Sequence, residues 1–363
     1  MHSTDLPKLT HRQAVQEVYK HTPQIIDYDQ FMHIGARWLP YTMYFHPQNF
    51  QSDAVNTDPM GFRYTIWQHQ RYSVNELHGV TQVNLLVGGS TALGVGATCD
   101  AATVASQLSE LTGELWLTMA GRGYNSRQEL LLFLLHQQRL PKIGKVLVLS
   151  GMNTLALEGI PDEYATEHGR YYYSYEFQHY MNMYNADMAR QKNSFRKQQH
   201  TGSTLDKLKS WLADFNPADI IMTDQDCELA DRIERAAAEI SHNLQQWKLL
   251  LAPANACLYF ALQPLSYWCK KRLTGDETAV FNAIDSCPNN FYRLFQGVLG
   301  PEVHQPFFQS IQRQAKDIRC FDINKILPAS PLFSQTLFID RVHFNDLGNQ
   351  ELARLLQQNI LGN

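Results

Sequence analysis

A chain of 363 residues that is 44% hydrophobic and only 18% charged can bury a large core, which argues against disorder and points to one large α/β domain or a domain carrying a sizeable insertion. Its 31 Lys+Arg against 35 Asp+Glu leave a net charge of -4 with no long basic block, so neither nucleic acid nor an anionic membrane is expected as the main partner. Small molecules or proteins remain.

The start, Met1 to Pro7, lacks a basic stretch followed by an apolar one, and no uninterrupted apolar run of about 18 residues occurs; the expectation is a soluble, cytoplasmic protein. The six cysteines (Cys99, Cys227, Cys257, Cys269, Cys287, Cys320) form no C-x-x-C pair and no cluster at zinc-ligand spacing, so they are expected to be core or surface thiols. No cofactor or metal is implied.

Residues 1–80 are rich in aromatic and polar groups without a clean strand or helix period and are expected to form an N-terminal extension wrapped on the main domain of residues 81–363. Within it, Val55 to Arg63 carries Asp58-Pro59 and Gly61, turn chemistry that predicts a tight structural loop anchored by Phe62. The run from Gln82 then reads as a buried central strand that stops at Gly88-Gly89, with Ser90 at its exit, where ligands of α/β proteins bind. Asp100 to Leu111 has Val104, Leu108 and Leu111 at helical spacing, with Asp100 as the expected N-cap.

A strand at Leu115 to Met119 leads into a second glycine-rich exit, Ala120 to Ser126, and Arg127 to Leu140 predicts an amphipathic helix. The next strand, Lys145 to Ser150, ends in Gly151-Met152-Asn153. Strand and helix alternating over so short a stretch predict a parallel sheet with right-handed crossovers, and three glycine-marked strand ends on one edge of it.

The rhythm breaks over residues 155–222. Tyr171 to Tyr184 is dense in tyrosine and methionine, either a lid over the strand ends that shapes an apolar pocket or the core of a helical insertion. The six Lys/Arg between Arg190 and Lys209 read as a solvated face, with docking of an acidic acyl carrier protein as the alternative. Asp224 to Leu251 predicts a long helix, Ala256 to Gln263 a buried strand, residues 265–320 mostly helix, and Ile318 to Ile323 a further strand. The tail places Asp340 three residues before His343 in a turn ahead of a last amphipathic helix, Asn349 to about Leu361.

A serine nucleophile needs a histidine to take its proton, an acid to orient that histidine, and donors aimed at the oxyanion. Of the 14 histidines, His343 is the most suggestive, because the Asp340 carboxylate can reach its ring from the same loop. At this point the chain resembles the SGNH (GDSL-type) hydrolases, through four short blocks in order: Gly88-Gly89-Ser90 with Gly94, Ala120 to Ser126, Gly151-Met152-Asn153, and Asp340 to His343. The resemblance implies a three-layer α/β/α sandwich with a mostly parallel sheet. It also implies Ser90, His343 and Asp340 as nucleophile, base and acid, and an oxyanion hole from Ser90, Gly123 and Asn153.

Two positions depart from the family pattern: Gly89 stands where the family has Asp, and Thr154 where an Asp often follows the asparagine. The activity implied is hydrolysis of a small or medium acyl ester. Its rivals are a thioesterase or acyltransferase working on a carrier-linked acyl group, and a binding protein that keeps the fold without the chemistry.

Overall fold

The computed structural model describes residues 9–33, 37–162, 165–197, 228–287, 294–295 and 297–362. Ahead of the central sheet lie helices α1 (His11–His21) and α2 (Ile25–His33) and two antiparallel hairpins, β1 (Arg37–Leu39) with β2 (Met43–Phe45) and β3 (Thr65–Trp67) with β4 (Gln70–Tyr72). Strands of three residues are too short to print a period on the sequence, which is why the hairpins read as irregular; the expectation of no helix in this region is corrected by α1 and α2. There follow β5 (Gln82–Gly88), α3 (Ser90–Leu93), α4 (Val104–Thr112), β6 (Trp116–Ala120), α5 (Ser126–His136), β7 (Lys142–Ser150), α6 (Met152–Leu157) and α7 (Ser174–Lys197). The chain continues through α8 (Leu229–Leu251), β8 (Cys257–Leu262), α9 (Gly275–Ser286), α10 (Pro301–Ala315), β9 (Arg319–Asp322), α11 (Ile323–Ile326) and α12 (Asp346–Leu356).

Five strands form one sheet in the order β6-β5-β7-β8-β9, every neighbouring pair parallel. Successive side chains of β5 take opposite faces: Val83, Leu85 and Val87 join one core with Phe133 of α5, Trp247 of α8 and Phe307 of α10. Leu86 joins the other, with Leu108 of α4, Phe281 of α9 and Leu352 of α12. Both faces are thus covered, which is why the strands read as continuous apolar runs rather than alternating ones. The architecture is the expected three-layer α/β/α sandwich. Because β5 pairs with both β6 and β7, sheet growth reverses there, and the carboxyl ends of β5 and β7 are where a parallel sheet of this order places its ligand site.

Asp100 does not cap the helix that follows it. It opens a single 3-10 turn, and the N-cap is Thr103, whose hydroxyl accepts from the Ser106 amide. Asp100 is drawn away by Arg63, whose Nε donates to it at 2.9 Å, and by the Asn56 side-chain amide at the same distance. Arg63 is fully buried, and its remaining donors go to Tyr28 Oη, Ala54 O, Leu93 O and Gly94 O. The tight loop before it forms as its residues require: the Asp58 carboxylate accepts from the Met60 and Phe62 amides, and Phe62 is 1% exposed.

In the insertion, Tyr171 and Tyr172 are core residues, whereas Tyr180, Met181 and Tyr184 on α7 are exposed. Most of the basic stretch up to Lys209, the first residues of the helix expected from Asp224, and Cys227 lie outside the described residues. Among the described residues no helix is long and apolar enough to cross a membrane.

Candidate active site

Ser90 is the first residue of α3, directly after the carboxyl end of β5, and is 8% exposed. As the first helical residue its amide has no intrahelical acceptor. The carboxyl end of α3 is tied down: Arg63 Nη1 binds the carbonyls of Leu93 and Gly94, and Tyr28 Oη donates to Gly94 O and Ala97 O. A cation over the last carbonyls of a helix satisfies groups that would otherwise be orphaned and complements the helix dipole.

His343 reaches this serine from the other end of the chain, with Nε2 2.7 Å from Ser90 Oγ. Its Nδ1 lies 2.6 Å from Asp340 Oδ2, while Asp340 Oδ1 accepts from the backbone amides of Val342 and His343, each at 2.7 Å. Burial alone would raise the Asp340 carboxyl, but the facing imidazole and those two amides outweigh it and hold the carboxyl below its ordinary value. An ionised carboxylate can only accept, so Nδ1 carries a hydrogen, and in the neutral imidazole that tautomer leaves Nε2 to accept from the Ser90 hydroxyl.

Asn153 comes from the turn after β7, which pairs with β5 on the side away from β6. Its side chain is 4% exposed and Nδ2 donates to Tyr124 O at 3.0 Å, leaving the second amide hydrogen uncommitted by that bond. A Cβ built on Gly89 would stand 2.6 Å from Asn153 Nδ2, closer than real Cβ contacts come. Here lies a physical account of the first departure from the family pattern: the bare Gly89 lets the amide of Asn153 lie against the turn that carries Ser90. At the second departure, the Thr154 hydroxyl accepts from the Ser126 amide at 3.0 Å and so satisfies the first turn of α5.

Gly123 precedes Tyr124 in the loop after β6, at a φ of +73°, packed between the Tyr172 ring and Tyr44 Oη. The loop is fastened to β5 by the Gly121 amide, which donates to Gly88 O at 3.1 Å. The structure therefore brings Ser90, His343 and Asp340 into one hydrogen-bonded row and sets Asn153 against Gly89, with Gly123 next to the carbonyl that holds it. Two contributors escape the sequence reading: Tyr124, which acts through a backbone carbonyl that any residue has, and Arg63, whose partners lie about 30 residues away.

No protein-family model and no curated protein matches the chain. Among solved structures it is similar to an acetyl xylan esterase, at 14% identity and a TM-score of 0.37, over 77% of this chain and 99% of the other. It is also similar to a protein described as lipolytic and of the G-D-S-L family from Desulfitobacterium hafniense, at 10% identity and a TM-score of 0.37, over 77% and 98%. A lipase/acylhydrolase from Enterococcus faecalis matches at 12% identity and a TM-score of 0.32, over 77% and 96%. Likenesses this low carry no argument about activity, which has to rest on the site itself.

Proposed function

We propose that this chain is a serine hydrolase of the SGNH type that cleaves a carboxylic ester through an acyl-enzyme. The observation that carries the reading is the unbroken row Ser90 Oγ, His343 Nε2, His343 Nδ1, Asp340 Oδ2, with links of 2.7 and 2.6 Å. Ser90 Oγ attacks the acyl carbonyl while its proton passes to His343 Nε2, and Asp340 stabilises the imidazolium that forms. The oxyanion is received by the amides of Ser90 and Gly123 and by the free hydrogen of the Asn153 amide. His343 then hands its proton to the departing alkoxide, which leaves as the alcohol. Water, deprotonated by the same imidazole, attacks the acyl-enzyme, releases the carboxylic acid and returns the proton to Ser90.

The test is a fluorophosphonate probe together with turnover of short acyl esters. The wild type is expected to label and Ser90→Ala not to; a wild type that neither labels nor turns over any ester would overturn the reading. Comparing short esters with acyl groups loaded on a carrier protein separates an esterase from a carrier-dependent thioesterase.

A further inference from the structure

Beneath the turn that carries Asn153 lies a carboxylic acid that the proposed chemistry does not use. Glu129 of α5 is wholly buried, and Ser150 Oγ donates to its Oε1 at 2.5 Å. Among the described residues its Oε2 has no hydrogen-bond partner. Beside it is a small cavity with about 10 Å³ for the centre of a water molecule, room for roughly one. Ser126, Ser150 and Asn243 supply the polar wall, and Ile240, Trp247 and Phe260 part of the apolar one.

Two of the polar wall residues act on the Asn153 turn. Ser150 is the last residue of β7, three positions before Asn153, and its carbonyl is fixed by the Gln263 amide at 3.0 Å. Ser126 gives its amide to Thr154, and its hydroxyl is held by Asn243 Nδ2 at 2.9 Å.

We propose that Glu129 is a positioning residue that works as a neutral acid: uncharged, it lets Ser150 and Ser126 hold the Asn153 turn in register, and ionised, it displaces that turn and with it the oxyanion donor. Burial, opposed only by the Ser150 hydroxyl, pushes the Glu129 carboxyl up from 4.5 to about 8. Among the described residues no cation compensates a charge there. From α8 the nearest charged group along the hydrogen-bond network is Glu239, which accepts from Asn243 and pairs with Arg127 of α5 at 2.7 Å; β7 and β8 bring only Val148, Ser150 and Phe260 to the cavity. An anion of Glu129 would have the Ser150 hydroxyl as its one hydrogen-bond donor, with Ser126 and Asn243 engaged to each other across the cavity, so it either draws those polar groups toward itself or admits water, and both move the turn.

This inference rests on the hydrolase reading, and its test separates the two. In kcat against pH with a short ester, the wild type is expected to lose about 10²-fold between about pH 8 and 10 with KM unchanged, while Glu129→Gln, which keeps the shape and the hydrogen bond but cannot ionise, stays level. A second readout needs no activity. Because the folded carboxyl is raised, its stability contribution is present at low pH and lost as pH rises from 4.5 to about 8, so the melting temperature of Glu129→Gln should gain on the wild type over that window and hold a constant lead above it. An alkaline loss identical in both proteins, or no loss in the wild type, would overturn the positioning role. Failure to label or turn over at any pH would sink the hydrolase reading and this role with it, with the melting curves still deciding whether Glu129 is neutral.

Discussion

Replacing Gly89 by Ala tests the fit between the nucleophile turn and Asn153 with a single methyl group. The φ of Gly89, -89°, is outside the left-handed region, so left-handed backbone strain is not the source of the effect and the contact made by the new Cβ is what the substitution adds. The new Cβ would lie 2.6 Å from Asn153 Nδ2, about 0.8 Å short of the 3.4 Å at which such contacts become ordinary. Asn153 has little room to yield, being 4% exposed and bonded to Tyr124 O. A misplacement near 1 Å costs on the order of 10²-fold, and outright loss of one oxyanion donor about 10²- to 10³-fold, or about 2.7–4 kcal/mol in the barrier.

Gly89→Ala is therefore expected to lower kcat by about 10²-fold with KM and melting temperature little changed, measured on a short p-nitrophenyl ester. Because both substitutions strike the same donor, Gly89→Ala should add almost nothing when made on top of Asn153→Ala. A Gly89→Ala enzyme within about threefold of wild type, or a double variant in which the two losses multiply, would refute the reasoning, since either would mean that Asn153 does not act through its contact with Gly89.

Asp340→Asn should lower kcat by about 10³- to 10⁴-fold, because the amide favours the wrong imidazole tautomer; single-turnover acylation of Ser90 reads this directly. The same substitution removes a carboxyl whose folded value is depressed. Its stabilising effect is present above the unfolded carboxylate range and is lost as pH falls through the folded value, so acid unfolding curves of the two proteins should converge at low pH. Arg63→Ala leaves Asp100 as a buried unpaired carboxylate and should cost about 3–5 kcal/mol, read as a lower urea midpoint at unchanged slope.

Strand ends were the legible part of this sequence. Gly88-Gly89-Ser90, Gly151-Met152-Asn153 and Asp340 to His343 are each contiguous, and an apolar run broken by turn residues marks where a strand meets solvent or ligand. What pairs them is not contiguous. Asp100 illustrates the limit: by local rules it is a good N-cap, but a fully buried guanidinium from the preceding extension competes for it and wins, leaving Thr103 to cap the helix. Gly89 looked like a departure from a pattern because its reason, the nearness of Asn153 Nδ2, lies on another segment. Glu129 sits among the leucines of α5 and prints no signal at all, since an acid on a helix is ordinarily a solvated one.

The five hydrogen bonds of Arg63 also bear on how the molecule comes apart. With its guanidinium shared among Tyr28, Ala54, Leu93, Gly94 and Asp100, lifting the first 80 residues away would strip the cap from α3 and strand a carboxylate in the interior at one stroke. Neither consequence is tolerable halfway. The extension and the sheet are accordingly expected to melt in one transition, and a shortened chain beginning near residue 81 would inherit a nucleophile whose helix has lost its anchor. The part of the chain that looks most like an appendage is the part that fixes where Ser90 stands.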